Sequence, residues 1–199
     1  MIDVTIDGDL WVVTLNRPDK ANALTTDMMA ELVMVMQRAT AAKSVILTGT
    51  GKVFSAGADL EAARAGLATS PLWEELSASI AALPGLTIAA LNGTLAGGAF
   101  GMALACDLRI AVPTAKFFYP VMKLGFLPQP SDPARLAQLV GPARAKLILM
   151  AGQKVLADDA LAMGLVDRIC DDVVAAARDL AADALGADAG HVAAIKGMI

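Results

Sequence analysis

Two short segments, Ser55-Ala56-Gly57-Ala58-Asp59 and Leu95-Ala96-Gly97-Gly98-Ala99-Phe100, are where main-chain chemistry is most accessible in this sequence. Each follows an apolar run that reads as a buried strand, and the second opens an apolar helix. Turns of small residues let a ligand approach the backbone closely. A helix start adds N–H groups without intrahelical acceptors and the positive end of the helix dipole. Two such turns facing each other would present convergent N–H donors to one oxygen, the arrangement that stabilises an oxyanion. Either turn alone serves equally well to let a strand and a helix pack closely; the pair, in this order, is the specific signal.

Side-chain chemistry is sparse by comparison. The sole histidine, His191, lies near the C-terminus and reads as an exposed helix residue. One histidine argues against a His-based metal cluster and against a Ser-His-Asp triad. Residues 97–100 also offer no serine nucleophile, which disfavours peptide hydrolysis. The segment 125–133 carries Pro128, Pro130 and Pro133 and must be a loop. Asp132 is its only carboxylate, and the plain reading is a cap for the helix after Pro133. Tyr119 reads as an aromatic at the edge of the core.

Strands and helices must deliver these groups. Residues 2–6 and 10–15 alternate as two strands around Asp7-Gly8, a hairpin signal. Thr25 or Thr26 can cap a helix carrying Met28, Leu32, Val35 and Met36 at helical spacing. Residues 45–47 form a short buried strand, and 53–55 lead into the first glycine turn. Pro71 suits the first position of a helix over 72–83. Residues 87–91 are the next strand, the second glycine turn opens a helix through Cys106, and 108–112 and 117–119 are further strands. Beyond the proline loop, 134–140, 143–150, 158–163 and 173–185 read as helices, with 166–169 a brief strand. Alternating strands and helices in the first half predict crossover units and a largely parallel sheet. The class is α/β, with 1–140 as the core and 141–199 as a helical region, together one domain.

The chain of 199 residues is long enough to bury a substantial core. Hydrophobic residues reach 56% and charged residues only 18%, on either side of the usual shares, which points to surface hidden in an oligomer. A net charge of −4 with no basic block argues against nucleic-acid binding. The stretch from Leu76 to Cys106 has no charged residue and exceeds the ~20 residues of a membrane-spanning helix. Pro84-Gly85, Asn92-Gly93 and Gly97-Gly98 interrupt it, so no span is expected. The N-terminus shows no leader pattern, and the two cysteines, Cys106 and Cys170, read as buried thiols of a reducing cytoplasm.

Several motifs resemble the enoyl-CoA hydratase/isomerase family of the crotonase superfamily. Asn16-Arg17-Pro18 with Ala21-Asn22-Ala23-Leu24 is similar to its opening motif, and Leu47-Thr48-Gly49 with Phe54 to Leu60 to its first oxyanion segment. Leu91-Asn92-Gly93, Ala96-Gly97-Gly98 and Cys106-Asp107 resemble the second, and Gly164-Leu165-Val166 continues the register. The resemblance implies a spiral of ββα units that binds an acyl-CoA thioester, with Ala58 and Gly98 donating backbone N–H groups to the thioester carbonyl. It implies that Ala21, Asn22, Ala23 and Leu24, together with Ala56, Gly57, Asp59, Leu60 and Gly97, lie along the substrate. It further implies a homo-oligomer, trimer or hexamer, no cofactor beyond the coenzyme A of the substrate, and a role in fatty acid metabolism. The family continues through helices that cover the site, and this chain stops at Ile199, sooner than that pattern.

Two positions depart from the pattern. Hydratases of the family carry a glutamate one helical turn after the donor glycine and another after a proline beyond the next strand. Here those positions are Gly101 and Val121. Water addition needs such acid–base groups, worth about 10²–10⁴ in rate each, so hydration by that mechanism is not expected. Restoring glutamate at both positions is expected to raise hydration. Gln129 falls where some relatives carry a catalytic aspartate, but an amide is no base near neutral pH. Gln129, Asp132 and Tyr119 are the polar candidates for catalysis. Decarboxylation or double-bond isomerisation, which rest on enolate stabilisation, and a non-catalytic acyl-CoA binder are the alternatives.

Overall fold

The computed structural model describes residues 1–199. The chain opens with an antiparallel hairpin, β1 (Ile2–Asp7) and β2 (Leu10–Leu15), pairing Asp7 with Leu10 across the Gly8 turn. Helix α1 (Thr26–Arg38) starts at Thr25, whose hydroxyl accepts the Met28 N–H at 3.2 Å. Its apolar face buries Met28, Met29, Leu32, Val35 and Met36.

A repeat then begins. Strand β3 (Ser44–Gly49) is followed by β4 (Val53–Ser55), then by helices α2 (Leu60–Arg64) and α3 (Leu72–Ala81). Strands β5 (Leu86–Leu91) and β6 (Thr94–Ala96) precede α4 (Phe100–Ala105), and β7 (Leu108–Ala111) and β8 (Lys116–Phe118) precede α5 (Val121–Leu124). In each repeat the first strand joins one sheet and the second joins another. The larger sheet runs β1-β2-β3-β5-β7-β10, with β2, β3, β5, β7 and β10 parallel, and the smaller runs β4-β6-β8-β9. This is the expected spiral of ββα units. Its remaining elements are α6 (Asp132–Val140), α7 (Pro142–Leu149), β9 (Val155–Leu156), α8 (Ala157–Ala162), β10 (Arg168–Ile169), α9 (Val173–Gly186) and α10 (Ala189–Lys196).

Strand alternation divides the core in two. Val45 and Leu47 of β3 with Ala89 and Leu91 of β5 point toward α1, α3 and α4, while Ile46, Ile88, Ala90 and Ile110 point the other way. That second face is covered by Val173, Ala177 and Ala181 of α9. Helix α9, within the helical region over 141–199, therefore packs directly on the sheet.

The structure corrects three expectations. Leu95 and Ala96 form the end of β6, pairing with Phe117 and Phe118 of β8, and not a turn. The strand is too short to show alternation and is hidden by the glycines beside it. Helices α2, directly after the first glycine turn, and α5, directly before the proline loop, form where no helix is expected. Cys106 is buried, and loss of solvation pushes its thiol up to about 12, whereas Cys170 is only half-buried. The charge-free stretch resolves into α3, β5, β6 and α4, and no helix of the protein is long and apolar enough to cross a membrane.

Crossover loops in this spiral pass close to one another. A Cβ at Gly93 would lie 2.6 Å from the Lys52 carbonyl carbon, so the backbones before β4 and β6 touch. Gly93→Ala is expected to cost about 3 kcal/mol, the upper range for overpacking. Gly186, where a Cβ meets nothing within 4 Å, is the control: Gly186→Ala should be neutral or slightly stabilising. Urea unfolding of both variants checks this, and equal stability would contradict the contact.

Candidate active site

Strands β4 and β6 are parallel neighbours, with Ser55 beside Leu95. Their C-terminal ends therefore release both glycine turns on the same side of the smaller sheet. Gly57 (φ 89°) and Gly97 (φ 58°) adopt left-handed conformations that disfavour any side chain. They also lie against each other. A Cβ on Gly57 would stand 3.0 Å from the Ala96 carbonyl oxygen and 3.6 Å from the Gly98 nitrogen.

Local hydrogen bonds hold the first turn open. Ser55 Oγ donates to the Asn22 carbonyl at 2.8 Å and accepts the Gly57 N–H at 3.2 Å. Leu24 bridges the turn, donating to the Gly57 carbonyl and accepting from the Asp59 N–H, both at 2.8 Å. Between these two bonds the Ala58 N–H donates to no protein group. The Gly98 N–H lies in the single helical turn over Gly97–Ala99 that leads into α4, where amides have no acceptor upstream. Ala58 and Gly98 line one cavity of about 150 Å³, together with Ala56, Gly97, Trp73, Phe118, Tyr119, Val121 and Gln129. The Trp73 ring presses on Gly98, 3.2 Å from where a Cβ would be.

The 21–24 and 59–60 segments divide by role. Asn22 is fully buried and its side chain is consumed internally, donating to Thr50 and Val53 carbonyls at 3.0 and 2.7 Å and accepting the Arg17 N–H at 2.8 Å. It braces the turn and has no side-chain atom free for a ligand. Leu24 is likewise buried, and the Ala21 and Ala23 carbonyls accept from the Ala56 N–H and Arg17. Asp59 caps α2 through the Glu61 and Ala62 N–H groups and pairs with Arg17 at 2.8 Å. The Arg17 hydrogen bond holds its carboxyl below the usual range. Leu60 is exposed.

Asp132 departs most from the sequence expectation. It is not a cap: helix α6 begins after Ser131, and Ser131 donates through its N–H and its hydroxyl to Glu74 of α3. The Asp132 side chain instead turns inward and is fully buried. Its Oδ2 accepts the Tyr119 hydroxyl at 2.8 Å, and its Oδ1 has no partner. Loss of solvation pushes its acidity constant up to about 7, opposed by the Tyr119 hydrogen bond and by Arg135 and reinforced by Glu74. Burial and the neighbouring Asp132 carboxylate push the Tyr119 hydroxyl well above its usual value. The Tyr119 ring stacks on Phe100 with centroids 5.3 Å apart, and Tyr119 Oη also accepts the Gln129 N–H at 3.4 Å.

Gly101 makes room for this carboxyl. A Cβ at Gly101 would stand 3.0 Å from Asp132 Oδ1. Glutamate at 101 would therefore drive one carboxyl into another, so the expectation that Glu at 101 and 121 restores hydration requires removal of Asp132 as well. Sequence reasoning missed Trp73, Glu74 and Ser77, all on α3. Ser77 Oγ receives Arg135 of α6, so the helix holds both the second glycine turn and the proline loop. Only the burial periodicity of α3 hinted at them.

A larger groove of about 730 Å³ lies elsewhere, between α9, α10 and the β5–β7 region, and includes His191, Lys196 and Asp107. Its Asp107 is taken up by the Thr87 N–H and hydroxyl and by Lys196. No pair of glycine turns opens into it, so the chemistry is assigned to the smaller cavity.

Fold and site define an α/β spiral with paired main-chain donors at its cavity. A family-wide sequence profile for enoyl-CoA hydratase/isomerase matches residues 5–199. The chain is 40% identical over 183 residues to the putative enoyl-CoA hydratase/isomerase YngF of Bacillus subtilis, covering 86% of this chain and 70% of that protein. It is 35% identical over 178 residues to a short-chain-enoyl-CoA hydratase of Clostridium acetobutylicum, covering 83% and 67%. Among solved structures, an enoyl-CoA hydratase from Bacillus anthracis superposes with a TM-score of 0.91 at 30% identity, covering 98% of this chain and 81% of that one. Pseudomonas aeruginosa DspI superposes at 0.90 with 32% identity, covering 98% and 84%. The protein belongs to the enoyl-CoA hydratase/isomerase family of the crotonase superfamily.

The buried carboxyl has a measurable signature. Its folded value of about 7 exceeds the ordinary 3.8, so the folded state binds the extra proton between those limits. Stability from Asp132 is complete below about pH 4 and lost as pH rises through 7. Relative to the neutral Asp132→Asn, the wild type should lose stability on the order of 4 kcal/mol from pH 4 to pH 8. Urea titrations at both pH values test this; a difference that stays constant with pH would show that Asp132 is charged throughout.

Proposed function

We propose that this protein binds an acyl-CoA thioester and stabilises its enolate through the main-chain N–H groups of Ala58 and Gly98. The observation carrying this reading is the contact between the two glycine turns, which puts Ala58 and Gly98 on one small cavity. The thioester carbonyl would sit between these amides. Charge that develops on its oxygen when the α-carbon loses a proton or a carboxyl group would meet fixed donors, worth about 10²–10³ in rate for each donor.

The cavity wall supports the rest of the substrate. Ala63, Ala68, Phe118, Leu124, Phe126 and Leu127 give it an apolar lining suited to an acyl chain. The exposed Leu60 beside Asp59 leaves the outer edge of the first turn open to the pantetheine arm. Val121 lines the cavity and Gly101 faces Asp132, so no glutamate stands at either position that water activation would use. The reading is therefore an enzyme of enolate chemistry, a double-bond isomerisation or decarboxylation, in place of simple hydration. Turnover of enoyl- and malonyl-type esters separates this from a binder without activity.

Carbonyl recognition can be isolated with butyryl-CoA and its thioether analogue, in which the carbonyl is a methylene. Two lost hydrogen bonds at about 1 kcal/mol each predict roughly 30-fold weaker binding of the thioether in calorimetry. Gly98→Pro, which deletes one donor and leaves the other, should cut that preference to roughly 5-fold, whereas Gly98→Ala keeps the amide and most of it. Equal affinity for both ligands in the wild type would refute the carbonyl assignment.

A further inference from the structure

We infer that Tyr119, backed by Asp132, is the group that moves a proton to and from the α-carbon of the bound thioester. The inference rests on the thioester reading above and extends it. Four observations converge on it. Tyr119 is part of the wall of the cavity that Ala58 and Gly98 also line. Its hydroxyl is tied to a carboxyl 2.8 Å away that makes no other bond to the protein. That carboxyl sits in space that any side chain at 101 would fill. No carboxylate lines the cavity directly.

The arrangement is costly unless it does chemistry. A buried carboxyl oxygen without a partner costs about 1–3 kcal/mol or more, and a valine or leucine at 132 would fill the same space without that cost. The carboxyl also cannot reach the cavity itself, because Asp132 is fully enclosed and does not line it. Tyr119 is the cavity-lining residue to which its side chain is bonded.

The step balances with one proton. In the forward direction the Cα–H bond breaks and its electron pair moves into the carbonyl held by the two amides. The proton forms a new O–H bond on Tyr119 Oη, and the original hydroxyl proton crosses to Asp132 Oδ2. The tyrosine stays neutral throughout, and the carboxylate becomes a carboxylic acid. The reverse path returns the proton to the enolate, at the same carbon or, in an extended dienolate, at the γ-carbon. No oxidant or second reactant takes part. Tyr119 is then the catalytic residue. Asp132, acting through it, is a positioning residue that holds the proton, with Arg135, Glu74 and Tyr119 as the polar groups that set its charge.

Deuterium exchange tests this. Wild-type protein is incubated with butyryl-CoA in D₂O, label at Cα is followed by mass spectrometry, and binding is measured separately by calorimetry. The wild type should bind and exchange. Tyr119→Phe should bind with similar affinity and exchange about 10²–10⁴-fold more slowly. Asp132→Asn should slow exchange and also remove its pH inflection near neutrality, a change that a packing role alone would not produce. Should Tyr119→Phe fail to fold, the pH profile of Asp132→Asn decides alone. Binding with undiminished exchange in Tyr119→Phe, an unaltered profile in Asp132→Asn, or wild-type binding without exchange each overturns the relay and leaves carbonyl recognition standing. Failure of the wild type to bind butyryl-CoA removes the thioester reading and the relay with it.

Discussion

Parallel pairing of two three-residue strands, β4 and β6, is the constraint on which the site depends. Because the strands run side by side and pair Ser55 with Leu95 near their ends, their following turns emerge together. Because both turns hold glycine in left-handed backbone, they can close to contact without a side chain between them. A β-carbon on Gly57 would press on the Ala96 carbonyl and push the two main chains apart. The larger sheet serves this arrangement indirectly: β3, β5 and β7 each deliver a strand to the smaller sheet, and their spacing sets the spacing of the turns. Asn22 and Ser55 then pin the first turn from behind with buried hydrogen bonds, where loss of a partner leaves unsatisfied backbone carbonyls.

Helix α3 couples the donor turns to the polar pair. Trp73 packs on Gly98 with its indole N–H donated to the Leu67 carbonyl at 2.8 Å, so the ring cannot swing away. One residue on, Glu74 grips Ser131, and Ser77 receives Arg135. These contacts fix the proline loop and the start of α6, and with them the inward direction of Asp132. A single helix thus sets the distance between the second glycine turn and the buried Asp132 carboxyl. Positions buried this deeply are also electrostatically stiff, because low local polarity strengthens every pairing and penalises every vacancy.

Much of this was legible in the residues. The hairpin, α1, β3, β5 and β7 follow from alternation, spacing and turn dipeptides. The two glycine turns stand out because a run of small residues directly after a buried strand brings the main chain within reach of a ligand, and here it occurs twice. What stayed hidden was tertiary. β6 and β9 are too short to show a period, and so are α2 and α5, which lie beside the first glycine turn and the proline loop. Asn22 reads as a polar residue free for a ligand until the fold shows its amide spanning to two carbonyls. Asp132 before Pro133 reads as a cap, since local chemistry favours that role. Only the fold reveals that Glu74 already holds the preceding serine and that Gly101 leaves a space on the other side.

The relation between Gly101 and Asp132 bears on how such a site can change. A carboxyl can reach the same volume from α4, through a side chain at 101, or from the start of α6, through Asp132, but not from both at once at 3.0 Å. The two positions are therefore alternatives, and substitutions at them cannot be additive, since each defines the space and charge the other meets. The approach direction also differs in consequence. A side chain from 101 would start in α4, just after the turn that carries Gly98, whereas Asp132 stands behind Tyr119 and is bonded to its hydroxyl. In the proposed relay, moving the carboxyl back by one aromatic ring exchanges a group that could hold and activate water for one that hands a proton through a phenol. Under that proposal the chemistry left to the site is the kind that needs one proton and a stabilised enolate.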